Sequence, residues 1–243
     1  MPVTSIIQSS AEVDAWQQII DLATADGWTA VWDPTNLATL TLRSSGADNF
    51  AVGHEDGMGN LGSFAQSDPT EQLQHIAGYF GDLDALVNAT GDSWDNAVTF
   101  TAVSQPDSWA LVFEYTGGST ATNERLVSGP GSNKRIIRYN NGNLEVHSGS
   151  TFVSAGSITP NTKHVFAATF NGASTVVILD GAESTISSPG TATLDSIGLF
   201  NSFGASAFPG ALGPLCLATG GVSLTDLRSM SDKLHELSGV PKA

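Results

Sequence analysis

The chain has 243 residues, with 24 acidic side chains against 9 basic ones and a formal net charge of −15. That length supports one large domain or two modest ones, and its apolar runs fall well short of the roughly 18 residues that mark a membrane-spanning helix. The acidic excess argues against a phosphate-binding surface, and a single cysteine, Cys216, excludes an internal disulfide or a thiolate metal cluster.

Charge is unevenly spread. Residues 1–124 hold 17 of the 24 acids and one base, Arg43, a balance of −16, whereas residues 125–243 come to +1. Such asymmetry points to a basic partner for the front half, or to solubility alone. Met1-Pro2-Val3-Thr4-Ser5 lacks the basic and long apolar regions of a secretory signal, so export by that route is not expected.

In chain order, Ser9-Ser10-Ala11-Glu12 has capping-box spacing and predicts a helix with Val13, Trp16, Ile19, Ile20 and Ala23 on its apolar face, ending near Asp26-Gly27. Strands are expected at Trp28–Asp33 and Leu37–Arg43, joined by the turn Asp33-Pro34-Thr35-Asn36, and two weaker ones near Phe50–His54 and Leu61–Gln66. Asp68-Pro69-Thr70-Glu71 reads as the start of a second helix, with Leu73, Ile76, Ala77, Phe80, Leu83 and Leu86 as its buried stripe. Residues 1–91 are therefore expected to form a small α+β domain, with a boundary near Ala89–Ser93.

From Trp94 onward short strands alternate with turn signals, as a β-sandwich requires. Expected strands are Trp94–Val103, Trp109–Tyr115, Arg125–Ser128, Arg135–Tyr139, Leu144–His147 and Phe152–Ala155. Next come His164–Phe170 and Thr175–Asp180 around Asn171-Gly172, and then the turn Asp180-Gly181. Ser196-Ile197-Gly198-Leu199-Phe200 and Phe208-Pro209-Gly210-Ala211-Leu212-Gly213 follow, and a helix over Ser223–Ser238 closes the chain before Gly239. This order of pieces, over about residues 93–243, resembles the laminin-G-like, concanavalin A-like jelly rolls found among phage virion structural proteins. The resemblance implies a mainly β jelly-roll sandwich with a C-terminal helix, here preceded by the α+β segment. That fold carries lectins, adhesion modules and hydrolases alike, so it does not decide function.

Several stretches imitate catalytic motifs. Gly57-Met58-Gly59-Asn60-Leu61-Gly62 fits G-x-G-x-x-G but leads into a strand rather than a helix, and is expected to be a loop. Glu12-Val13-Asp14 lacks the third acid of a glucanase triplet and lies in a helix. His54-Glu55-Asp56 and His75 are expected on different elements, without the H-E-x-x-H of a zinc site. No G-x-S-x-G elbow is present, so no catalytic residue, metal or cofactor is assigned, and the chain is expected not to be an enzyme. Calcium, which rim oxygens hold in many jelly rolls, is an alternative that Asp180 and Asp195 alone do not favour. Cys216 is expected to be a small buried hydrophobe, and Asn88-Ala89-Thr90 an incidental acceptor sequence.

Sugar binding asks for an aromatic face and planar amides on well-held loops. Tyr139, Asn140, Asn141 and Asn143, with Asn201 and Phe203, offer that combination, although Asn and Gly also serve plain turn chemistry. Trp16, Ile19 and Phe80 are the candidates for docking. Three function classes follow: a virion structural protein whose sandwich meets host glycans, a free extracellular lectin, and a degraded glycan hydrolase. The first is preferred, with capsid or tail subunits and copies of itself as partners, a virion location, and neither nucleic acid nor membrane as a target.

Overall fold

The structure, a computed structural model, describes residues 10–45, 48–65, 72–88, 98–128, 135–187, 189–200 and 206–243. Helix α1 spans Ser10–Ala25 and buries Ile19 and Ala23 of the expected face together with Ala15, while Trp16 and Ile20 are half-buried; the Ser9 cap lies outside the described residues. Gly27 ends it at φ +77, with the Trp28 amide donating to Ala23 O at 2.9 Å, the six-to-one bond of a Schellman motif.

The front strands are β1 (Ala30–Trp32), β2 (Leu40–Ser45), β3 (Asp48–His54) and β4 (Phe64–Ala65). Between β1 and β2, Asp33 Oδ1 accepts the Thr35 amide at 2.9 Å, closing the expected turn. The helix expected after Asp68 is not formed over Leu73–Leu86. Instead β5 (Leu73–Phe80) and β6 (Leu83–Asn88) make an antiparallel hairpin. The apolar stripe divides between the two faces of a sheet: Leu73 and Leu86 join one core, Phe80, Leu83 and Ala85 the other. Gly78 and Gly81, both at φ +64, take the left-handed region that a helix interior forbids. A Cβ on Gly81 would stand 2.8 Å from Leu237 O, so the turn presses against the end of the C-terminal helix.

The remaining strands are β7 (Val98–Val103), β8 (Asp107–Tyr115), β9 (Glu124–Ser128), β10 (Arg135–Asn140), β11 (Asn143–Ser148) and β12 (Val153–Ser157). They continue with β13 (Lys163–Phe170), β14 (Thr175–Leu179), β15 (Ala182–Ile186), β16 (Leu194–Leu199), β17 (Ser206–Ala207) and β18 (Gly210–Ala218), then helix α2 (Leu224–Ser238). Ser223 caps α2 by accepting the Asp226 amide, and Gly239 ends it at φ 68, both as the sequence predicts. Asp180 and Gly181, at φ 51 and 82, form the tight β14–β15 turn read from the sequence. Asn171 differs: its φ is −150, and a 3-10 turn over Gly172–Ser174 links β13 to β14.

Two sheets result. Among the described residues one has eleven strands in the order β15-β14-β13-β8-β18-β6-β5-β3-β2, with β1 on β18 and β4 on β3; the other has seven in the order β12-β11-β10-β9-β16-β7, with β17 on β9. Residues before 91 supply six of the larger sheet's eleven strands, and β6 pairs directly with β18 (Ala211↔Val87). One core fills the space between the sheets, around Trp32, Trp109, Phe113, Tyr139 and Phe166. A second lies on the opposite face of the larger sheet, where α1 and α2 cover Ala110, Val112, Ala167 and Cys216. The molecule is thus a mainly β sandwich with helices on one outer face.

Candidate functional site

The β10–β11 hairpin carries four of the residues selected for sugar contact. Asn141 and Gly142, at φ 47 and 84, form a type I′-like turn, which is why Asn and Gly stand there. Asn140 donates to Glu145 Oε1 at 2.9 Å, Asn141 is exposed, and Asn143 is half-buried. Tyr139 is not part of this surface: its side chain is wholly buried, its ring stacks on Tyr115 at 3.8 Å between centroids, and its hydroxyl donates to Ser119 O at 2.7 Å. Strand alternation turns it inward with its cross-strand partner Leu144, while Arg138 and Asn140 turn outward. Asn201 and Phe203 lie outside the described residues.

Asn143 leads instead to a groove that the sequence did not single out. Its Oδ1 lies 3.4 Å from Ser157 Oγ and 3.5 Å from Ser154 Oγ, at the outer edge of the smaller sheet. There β12 faces β14 and β15, the edge of the larger sheet, across a cavity of about 550 Å³. Ser154, Ser157, Ser184, Asp180 and Glu183 line it together with Leu179 and Ile186. Gly156 sits at φ +145 and a Cβ there would stand 2.7 Å from Leu179 Cδ2, so glycine is what lets β12 approach β14 so closely. Asp180 is held rigidly, accepting the Val165 amide at 2.9 Å and pairing with His164 Nδ1 at 2.7 Å. Glu183 pairs with Arg228, Nε to Oε2 at 2.8 Å.

The other candidates resolve into structure. Asp56 accepts the amides of Val31 and Met58 on Oδ1 and of Asn60 and Leu61 on Oδ2, at 2.8–3.0 Å. The G-x-G-x-x-G loop therefore wraps its own carboxylate, which occupies the amides a phosphate would need. His75 Nε2 pairs with Asp84 Oδ2 at 2.9 Å, while His54 is buried with neither ring nitrogen in a well-formed hydrogen bond. Among the described residues no three His, Cys, Asp or Glu side chains are placed to hold a metal ion. Burial drives His54 down to about 3 and raises the neighbouring Asp33 carboxyl to about 6, against the opposing bonds from Thr35. Asn88 is buried and donates to Phe208 O at 3.0 Å. Cys216 is buried too, its Sγ 3.9 Å from Met230 Sδ, and burial pushes the thiol up.

Of the docking candidates, Ile19 and Phe80 are fully buried in the core beneath the helices, so they offer no surface to a partner; Trp16 remains half-buried. The helical spacing around Ile19 marks a buried face, whereas Phe80 is buried from a strand rather than from the expected helix, and both are covered by this chain itself.

No family model matches the chain, and no curated protein does. Solved structures do. Domain 4 of AbnA, a GH43 extracellular arabinanase from Geobacillus stearothermophilus in complex with arabinotriose, is similar at a TM-score of 0.60 and 15% identity, over 84% of this chain and 98% of that one. A GH54 α-L-arabinofuranosidase is similar at a TM-score of 0.65 and 10% identity, over 90% of this chain. The botulinum neurotoxin serotype D binding domain is similar at a TM-score of 0.56 and 12% identity, over 87% of this chain. The chain spans 65% of the arabinofuranosidase and 52% of the toxin domain. At these identities the likeness establishes the β-sandwich fold.

Proposed function

We propose that this chain is a non-enzymatic, carbohydrate-binding β-sandwich that receives a short glycan in the groove between β12 and β15. The observation that carries the reading is the groove: about 550 Å³ of open space lined by serines and acidic residues together with Leu179 and Ile186. Sugars present this same alternation of hydroxyls and apolar C–H faces. Support comes from the arabinanase domain that the chain covers almost completely, which was solved with arabinotriose. A binding rather than a catalytic role is supported by the way three of the four buried carboxylates among the described residues are used: Asp56 by four backbone amides, Asp84 by His75 and the Gly78 amide, Asp107 by Arg135 and Trp109, with Asp33 the exception.

The larger setting we propose is the surface of a virion or comparable particle, with the groove turned outward to host glycans. The charge asymmetry and the jelly-roll resemblance support that setting. Titration calorimetry of the full chain with a panel of neutral oligosaccharides, arabinotriose included, tests the binding function. Saturable binding that Ser157→Trp abolishes is expected; release of reducing sugar with multiple turnover would replace the reading with a hydrolase. Recovery of the chain from purified native particles, seen by electron microscopy, tests the setting, and a monomer absent from every particle fraction refutes it.

A further inference from the structure

Resting on the glycan-binding reading, we infer that the groove selects neutral sugars and rejects those that carry a carboxylate, such as sialic acids and uronates. Two structural neighbours frame the choice, because one was solved with arabinotriose and another, the serotype D toxin domain, with N-acetylneuraminic acid. The lining of the groove decides between them.

Among the described residues the lining contains two side-chain carboxylates, Asp180 and Glu183, and no lysine or arginine. Asp180 is fixed by the αL turn that presents it, at φ 51, and by its two hydrogen bonds, so it cannot swing away from an incoming anion. Glu183 stands on β15 at the rim. The basic groups beside the groove are already engaged: Arg228 donates from both Nε and Nη2 to Glu183, Lys242, whose stem packs against Gly181, sits 2.7 Å from Asp232 Oδ1, and the His164 ring is turned onto Asp180. A sugar carboxylate entering here would meet negative charge with no free guanidinium to fork onto it. Sugar hydroxyls meet a different surface. Carboxylate oxygens accept from them, and Ser154, Ser157 and Ser184 both donate and accept. The edges of β12 and β15, which carry no further strand among the described residues, add backbone amides and carbonyls.

The experiment is titration of the full chain with arabinotriose and other neutral tri- and tetrasaccharides, against N-acetylneuraminic acid and uronate-bearing oligosaccharides of similar size. We expect the acidic sugars to bind at least about tenfold more weakly, the size of effect two carboxylates within several ångströms produce at a partly solvated site. The gap should narrow as salt is raised, because the repulsion is screened. Glu183→Lys, on an exposed strand edge and harmless to the core, should shrink the preference or reverse it. Equal or tighter binding of N-acetylneuraminic acid, lost in Ser157→Trp, overturns the selectivity while leaving the glycan-binding reading intact. Neutral sugars that bind unchanged in Ser157→Trp would move the site elsewhere, and failure of every sugar to bind overturns both proposals.

Discussion

The sandwich treats polar groups in two opposite ways at two places between its sheets. At one, Arg135 of β10 and Asp107 of β8 form a salt bridge across the interior, with both side chains fully inaccessible. Arg135 Nη1 also donates to Ala192 O at 2.7 Å and to Ser148 Oγ, Trp109 Nε1 donates to Asp107 Oδ2 at 2.7 Å, and Gln105 ties in Ser148 and Gly190. Each polar group there is directed at another group of the same chain. At the other, the groove between β12 and β15 is open, and the serines and acidic residues that line it beside Leu179 and Ile186 stay within reach of solvent even where, as at Asp180 and Glu183, they already hold a partner. The first arrangement fixes how the sheets face one another, because leaving any member unpaired in a dry interior is costly. The second leaves hydrogen-bonding capacity for a ligand.

Both places lie within residues 93–243, so truncation separates them from the front half. Expressed alone, 93–243 keeps the groove and the Arg135–Asp107 pair but loses α1, the β6–β18 ladder and six strands of the larger sheet. We expect the fragment to fold and bind sugar with a melting temperature lower by about 10 °C or more, since each kcal/mol moves a domain of this size by roughly 2–4 °C. A fragment with no cooperative melt would mean that the two segments do not form separable units.

Breaking the closed place alone comes next in size. Asp107→Ala leaves the Arg135 guanidinium buried beside Phe170 without its carboxylate, which should cost about 3–5 kcal/mol in chemical denaturation. Sugar affinity measured well below the transition should be unchanged, because the groove shares none of these residues. A loss of affinity at full folding would join what the structure keeps apart.

These two places differ also in how far the sequence reveals them. Turns are legible: Asp180-Gly181 and Asn141-Gly142 adopt the positive φ that their residues announce. The α2 caps and the face of α1 follow equally local rules. The Leu73–Leu86 segment fails because its apolar residues satisfy a helical period and a two-faced hairpin alike, and packing against Leu237 and β18 decides between them. Arg135 sits in a correctly expected strand, but its partner is 28 positions away and no local signal links them. Tyr139 was open to correction from sequence, since its outward neighbours Arg138 and Asn140 imply that it turns in. The groove is built from serines, a glycine and small apolar residues on β12 and β15, which read as ordinary strand and turn chemistry until the sheet edges meet.

A third polar cluster sharpens the comparison, because it is closed like the Arg135 pair yet incompletely satisfied: among the described residues Asp33 Oδ2 has no hydrogen-bond partner, and neither His54 nitrogen makes a well-formed hydrogen bond, the Asp33 backbone bearing only weakly on the ring. Asp33 binds its proton more tightly in the fold, at about 6 against 3.8, so its contribution grows as pH falls from above 6 to below 4. His54 binds its proton less tightly in the fold, at about 3 against 6.5, so its contribution is lost as pH falls from above 6.5 toward 3. Between about pH 6 and 4 the two slopes oppose each other. Asp33→Asn removes one of them, and relative to wild type the variant should lose about 2 kcal/mol more between pH 7 and pH 4 in urea melts. Parallel profiles for the two proteins would show that Asp33 carries no raised pKa.

The smallest expected effect lies at the open place. Asn143 Oδ1 is 3.4–3.5 Å from Ser157 and Ser154 Oγ, long contacts that orient the two hydroxyls without holding them firmly. Removing the amide in Asn143→Ala frees both to rotate toward a ligand or toward water. Stability should change by no more than about 0.5 kcal/mol, as at other surface positions. Affinity for a bound neutral sugar should fall by roughly two- to threefold, the cost of ordering hydroxyls that the wild-type chain already directs. Calorimetry on this variant alongside Asn141→Ala separates the groove from the hairpin tip, because Asn141 is exposed and contributes only its turn conformation. An equal loss from both substitutions would place the sugar on the tip of the hairpin, and a loss from Asn143→Ala alone would place it against β12.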